Sequence, residues 1–142
     1  MKSSLFRALI FLGLAFAVGG CATYDTQLDK GRSLTGIKRF FVVSNLNDNH
    51  GIANQIVTAL KTRGREADTG PLTMMPDDTQ VIVSFQDHWT WDFSDHLVFL
   101  QLAVHDRRSE QAFVSVSFNA KIPLREETNI TVARLVDRLL VK

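Results

Sequence analysis

Cysteine is nearly missing from this 142-residue chain, with Cys21 its sole representative. One thiol excludes an internal disulfide and is too few for a zinc knuckle. Neither sign of charge prevails, since 16 Lys and Arg stand against 15 Asp and Glu. The basic field that draws a protein to nucleic acid is therefore lacking, and no nucleic-acid partner is expected. No G-x-S-x-G elbow, H-E-x-x-H helix or phosphate-cradling P-loop occurs, which leaves no motif for a hydrolase or nucleotide enzyme. No apolar run reaches the roughly 20 residues that span a bilayer. Repeats and low-complexity segments are absent too. What is present is a chain 45% apolar and 22% charged, enough for one packed domain and too apolar for wholesale disorder.

Residues 1–20 differ from the rest. Lys2 and Arg7 precede an uninterrupted apolar stretch, Ala8–Val18, the layout of a secretory signal rather than a span. Val18-Gly19-Gly20-Cys21 follows directly. Small residues ahead of a cysteine at this position resemble the lipobox of bacterial lipoproteins. The resemblance implies a signal peptide over 1–20, with Val18, Gly19 and Gly20 read by the signal peptidase. It implies cleavage before Cys21, S-diacylglycerol on its sulfur and an N-acyl, palmitate-type chain on the new amine. A thiol suits that acylation, being the strongest side-chain nucleophile near neutral pH. Two or three chains hold a protein stably where one is marginal. Ala22 in place of Asp implies sorting to the outer membrane, with the domain facing the periplasm. The alternative is an uncleaved N-terminal helix with Cys21 an ordinary buried thiol. Cleavage removes two basic groups and no acidic ones, so the mature domain carries a small negative charge.

Ala22–Gly36 is polar and aperiodic. With Cys21 it reads as a flexible tether, residues 21–36, in which only Leu34 is placed to pack back on the domain. The folded domain is expected over 37–142. Ile37–Ser44 is β-rich and buried in pattern. Ile52, Ala53, Ile56, Val57 and Leu60 fall on one helical face, with Asn49 as the expected N-cap and Gly64 as the C′ residue. Arg65–Thr69 suggests a short edge strand, and Gly70–Asp78 an irregular connection.

Gln80–Phe93 alternates with period two, Val81, Val83, Phe85, Asp87, Trp89 and Trp91 sharing the dry parity. In Leu97–Arg107 the dry set is Val98, Leu100, Leu102 and Val104. A two-residue turn at Ser94-Asp95 pairs Trp91 with Val98, Trp89 with Leu100 and Ser84 with His105. Ala112, Val114, Val116, Phe118 and Ala120 form a third dry face, joined through an odd loop at Arg108-Ser109-Glu110 or a bulge. Ile130, Val132, Ala133, Val136, Leu139 and Leu140 mark a second helix capped by Thr128 or Asn129. The expected fold is α+β: a two-layer sandwich, mainly an antiparallel sheet of 4–5 strands with two helices on one face. This order resembles small periplasmic domains such as the TolB amino-terminal domain and LpoB-type lipoproteins. The aromatic stretch Gln86–His96 is similar to strands of uncharacterised proteobacterial lipoproteins.

Chemistry is sparse. His88 and Asp92 share a face but lie about 13 Å apart on a strand, too far for one ion. No metal and no non-covalent cofactor are expected, and no catalytic residue is assigned. Asp87 breaks the dry parity, and either binds something or is satisfied by a nearby donor. Trp89 and Trp91 read as core anchors. The wet face, carrying His88, Thr90, Leu97, Phe99, Gln101 and His105, is the candidate docking face. The leading expectation is a non-enzymatic binding or accessory module, membrane-anchored through lipid, with an envelope protein or peptidoglycan as partner. One alternative is an inhibitor or immunity-type lipoprotein that plugs a periplasmic hydrolase with Gly70–Asp78 or Phe93–His96. Another is a weak periplasmic hydrolase using Asp87, His88 and Asp92.

Overall fold

A computed structural model describes residues 22–29, 31–121 and 126–141. Val18, Gly19, Gly20 and Cys21, and with them the expected signal peptide and lipidation site, lie outside the described residues. The elements in chain order are β1 (Ala22–Leu28), β2 (Arg39–Val43), α1 (Ile52–Thr62), β3 (Glu66–Gly70), β4 (Val81–Trp91), β5 (Asp95–Asp106), β6 (Ala112–Ala120) and α2 (Thr128–Leu140). A 3-10 turn at Leu72–Met74 interrupts the connection from β3 to β4. The strands form one sheet in the order β1-β6-β5-β4-β2-β3. Pairing is antiparallel from β1 to β4 and parallel from β4 through β2 to β3. The expected α+β sandwich with a mainly antiparallel sheet is present, with six strands in place of four or five and parallel pairing confined to β2 with its two neighbours.

Both helices lie over one sheet face, as their apolar spacing requires. Ile52, Ile56 and Leu60 of α1 meet Val132, Leu135, Val136 and Leu139 of α2 above Phe40, Val42, Val83, Leu100, Leu102, Val104, Val116 and Phe118. These side chains are almost wholly removed from water, each stabilising the fold by about 1.5–3 kcal/mol. Arg63 at the end of α1 clamps the helices together. Its guanidinium donates to both carboxylate oxygens of Asp137, to the Ala59 carbonyl at 2.8 Å and to the Ala133 carbonyl at 3.0 Å. That pairing raises the Arg63 pKa and holds the Asp137 carboxyl below its ordinary range, the shared hydrogen bond being the main cause. Among the described residues no helix is long and apolar enough to cross a membrane.

The helix ends differ in part from expectation. Gly64 stands at φ 74° as the C′ residue and returns its N–H to the Lys61 carbonyl at 3.0 Å. The start of α1 is capped by Asp48, not Asn49: its carboxylate accepts the N–H groups of Ile52 and Ala53 at 2.8 and 2.9 Å. A left-handed Gly51 makes this reach possible. Glu127, rather than Thr128 or Asn129, occupies the cap position of α2, and it makes no side-chain cap bond. Ile130 sits on the solvent side, 42% exposed.

Two larger corrections concern the sheet. Ala22–Leu28 is not a loose tether but the edge strand β1, paired residue for residue with β6 from Ala22↔Ala120 to Leu28↔Val114. Its own apolar content is small, and its partner is some ninety positions distant, so local periodicity did not show it. The rest of the segment is also held. Leu34 is buried, and Arg32 donates to both oxygens of Asp106 at 2.7 Å while its guanidinium stacks on Phe113.

The second correction is the hairpin register. Leu100 faces Asp87 rather than Trp89, and the pairing shifts after His88↔Phe99 to Trp89↔Leu97. Val98 is thus an extra residue on β5, a bulge that swaps the parity of the β5 residues between it and the turn. The turn is the three-residue loop Asp92–Ser94, closed by Phe93 at φ 58°, instead of Ser94-Asp95. The expected odd connection between β5 and β6 is realised as a second bulge after Val104↔Val114.

Candidate functional site

With both helices on one side, the other face of the sheet stays open over β1, β6, β5 and β4. Alternation presents Ser84 and Gln86 from β4, Gln101, Ala103 and His105 from β5, Ser115 from β6 and Gln27 from β1. Together with Asp29 and the bulged Phe113 they line a groove of about 540 Å³. Its polar groups are mostly uncharged amides and hydroxyls, which donate and accept hydrogen bonds without requiring a counter-ion. Next to it lies a more apolar trough of about 630 Å³, formed by Val43, Leu72, Met75 and Ile82 and edged by Arg107, Arg108 and Glu110.

Ser84 and His105 line both cavities. Ser84 Oγ lies 2.8 Å from His105 Nε2, within hydrogen-bond distance. The expected cross-strand pair is therefore present, although it spans a diagonal: Ser84 is opposite Ala103, and His105 opposite Ile82. A register error of two residues keeps both side chains on the same face, which is why the contact survived it. Nδ1 of His105 is buried without a hydrogen-bond partner among the described residues. A nucleophilic relay needs a third group to orient the imidazole, and none of the described carboxylates bonds to that nitrogen.

The other candidate residues divide. Gln101 and His105 belong to the groove. His88 and Phe99 face each other one step further along the sheet, their rings edge-on at 6.3 Å. Thr90 pairs with His96 near the hairpin end. Leu97 is no part of a docking face: the Val98 bulge turns it into the core, where it is 6% exposed. Trp89 is half-buried against the core, stacked on His50 at 3.6 Å, and donates its indole N–H to Asp87 at 2.5 Å. Asp87 thus has the donor its dry position demands. Trp91 is not a core anchor but 71% exposed, because the hairpin runs beyond the helical layer. Asp92 lies in the loop, lining a shallow recess with Phe93, Asp95, His96, Glu126 and Glu127. Asp87, His88 and Asp92 do not converge. Among the described residues no group of three or more His, Cys, Asp or Glu side chains is placed to hold a metal ion.

Sequence reasoning missed Gln27, Asp29, Gln86 and Ser115 as groove residues. The one trace of the first is that Ala22 and Tyr24 alternate with Thr23, Asp25 and Gln27, two positions only and too few to mark a strand by periodicity.

No family model matches the chain, and no curated protein matches its sequence. Solved structures do match. The PelC dodecamer from Paraburkholderia phytofirmans superposes with a TM-score of 0.58 at 12% identity, covering 84% of this chain and 95% of that one. A singly substituted form of the same dodecamer gives 0.58 at 11% identity with the same coverage. A minor lipoprotein from Acinetobacter baumannii gives 0.39 at 7% identity, covering 74% of this chain and 91% of that one. The PelC likeness shows that this arrangement of strands and helices recurs across nearly the whole of another chain.

Proposed function

We propose that the chain is a lipoprotein of the bacterial envelope, held in the outer membrane by acyl groups on Cys21, whose domain is a non-enzymatic binding module. The observation that carries this reading is the groove on the open sheet face. Its neutral donors and acceptors, arranged along strands, suit an extended polar segment such as an envelope peptide or a glycan strand. The signal-like residues 1–20 and the lipobox resemblance support the anchor. Tethering at a membrane raises the effective concentration for partners held there. A second reading, an inhibitor that inserts a loop into a hydrolase cleft, is favoured by the Asp92–Ser94 loop, whose Phe93 is 92% exposed.

Two measurements test the proposal. Mass spectrometry of the chain from its own host should find Cys21 acylated and residues 1–20 removed; a bare cysteine overturns the anchor. A photo-crosslinking residue at Gln101 should capture an envelope partner, and Ser84→Trp, which fills the groove, should abolish capture. Equal capture from Lys61 on the helical side would refute the groove as the docking surface.

A further inference from the structure

We propose that the tip of the β4–β5 hairpin is a second membrane contact, with Trp91 and Phe93 seated in the headgroup region of the bilayer that holds Cys21. The inference rests on the acyl anchor proposed above and adds the domain's orientation. Its basis is the sheet register. Thr23, Asn119, Phe99 and His88 form one row across β1, β6, β5 and β4. Ala22, the residue after Cys21, therefore lies at the same end of the sheet as the hairpin tip. Trp91 is three residues beyond that row, and Phe93 further still. At about 3.3 Å per residue the tip overshoots Ala22 by roughly 7–10 Å, which matches the depth to which interfacial side chains sink. β1 and β4 are three strand spacings apart, about 14 Å, so anchor and tip make two separated supports.

The tip is built for such a contact. Trp91 is 71% and Phe93 92% exposed, with ring centroids 5.8 Å apart. Exposed paired aromatics, one with an indole N–H, are the side chains that collect at a membrane–water boundary. Phe93 holds φ 58°, a conformation costly for a bulky residue, and no burial of its ring offsets that cost within the described domain. The surroundings set the lipid. Asp92, Asp95, Glu126 and Glu127 line the adjoining recess, with Lys121 following β6 at the same end. This acidic balance is repelled by anionic headgroups and accepts zwitterionic ones. Because β1 starts at Ala22, no leash separates the anchor from the fold, and the tip is delivered to the bilayer surface.

Cys21 is the chain's one cysteine, so the chain starting at Cys21, which keeps every described element, can be coupled there to a maleimide lipid. It is placed in phosphatidylcholine vesicles carrying brominated acyl chains. The Trp91 signal is the wild-type emission minus that of Trp91→Phe, which leaves Trp89 in place. We expect bromolipid to quench that difference by about half or more, Phe93→Asp to restore it, and anionic lipid to weaken it. An unquenched difference overturns the proposal, even with Cys21 acylated in the host and the binding reading intact. So does a tip that responds only when an envelope protein is added, which would make it a protein contact. A bare Cys21 in the host with full quenching in the coupled chain would remove the natural anchor while upholding the affinity of the tip.

Discussion

Replacing Trp89 and Trp91 by alanine, one at a time, tests where the core ends along β4. The two indoles share one parity of the strand, so if the helical layer covered the whole hairpin both would be buried and both losses would be large. Instead Trp89 packs at the core margin, stacked on His50 and bonded to Asp87, while Trp91 is 71% exposed. Truncating a fully buried Trp or Phe costs about 3–5 kcal/mol. Trp89 is only partly buried, but it also loses an aromatic stack worth about 0.5–1.5 kcal/mol. We therefore expect Trp89→Ala to cost about 2–3 kcal/mol. Trp91→Ala should stay within about 0.5 kcal/mol, as surface changes do. Urea unfolding followed by far-ultraviolet circular dichroism avoids the altered fluorescence. With a slope of about 1–3 kcal/mol per molar, the Trp89 midpoint should fall by roughly 1–2 M and the Trp91 midpoint should hardly move. Equal losses, or a larger one at Trp91, would refute the placement of the core's edge between Trp89 and Trp91.

Two further outcomes follow from the packing. Phe41 is 1% exposed although it lies outside the core cluster beneath the helices, and its ring stands beside Gly70, as does Met74 of the connection that follows. Phe41→Ala should cost about 3–5 kcal/mol, and an unchanged melting temperature would show that this connection is not a lid on the open face. Asp137, held below its ordinary pKa by Arg63, contributes stability above the unfolded carboxyl range and loses it as pH falls through its lowered value. Its side chain is more than half exposed, so solvent screening limits the effect to about 1 kcal/mol. Asp137→Asn should flatten the acid side of the stability curve by that amount, and a curve parallel to wild type would exclude the clamp.

The parts of the fold legible in the sequence were those whose evidence is local. The apolar stripes of α1 and α2 and the alternation of β4 and β6 each lie within a dozen residues, so periodicity sufficed. β1 was illegible because an edge strand is stabilised by the hydrogen bonds its neighbour offers, not by its own apolar content. The bulge at Val98 was illegible because an inserted residue leaves no mark on composition, yet it moved Leu97 from the expected docking face into the core. The Ser84–His105 contact could be read since it depends only on parity, which a two-residue slip preserves. The groove's outer wall could not, because Gln27 and Asp29 join it only once β1 is docked.

The pairing of β1 with β6 alone also dictates an order of events. Ala22 meets Ala120, so the first strand of the chain has no partner until nearly the last has been made. On the lipoprotein reading proposed above, the stretch just after Cys21 would cross the membrane before β6 exists to pair with it. It would stay open to processing at Cys21 until the sheet closed over it.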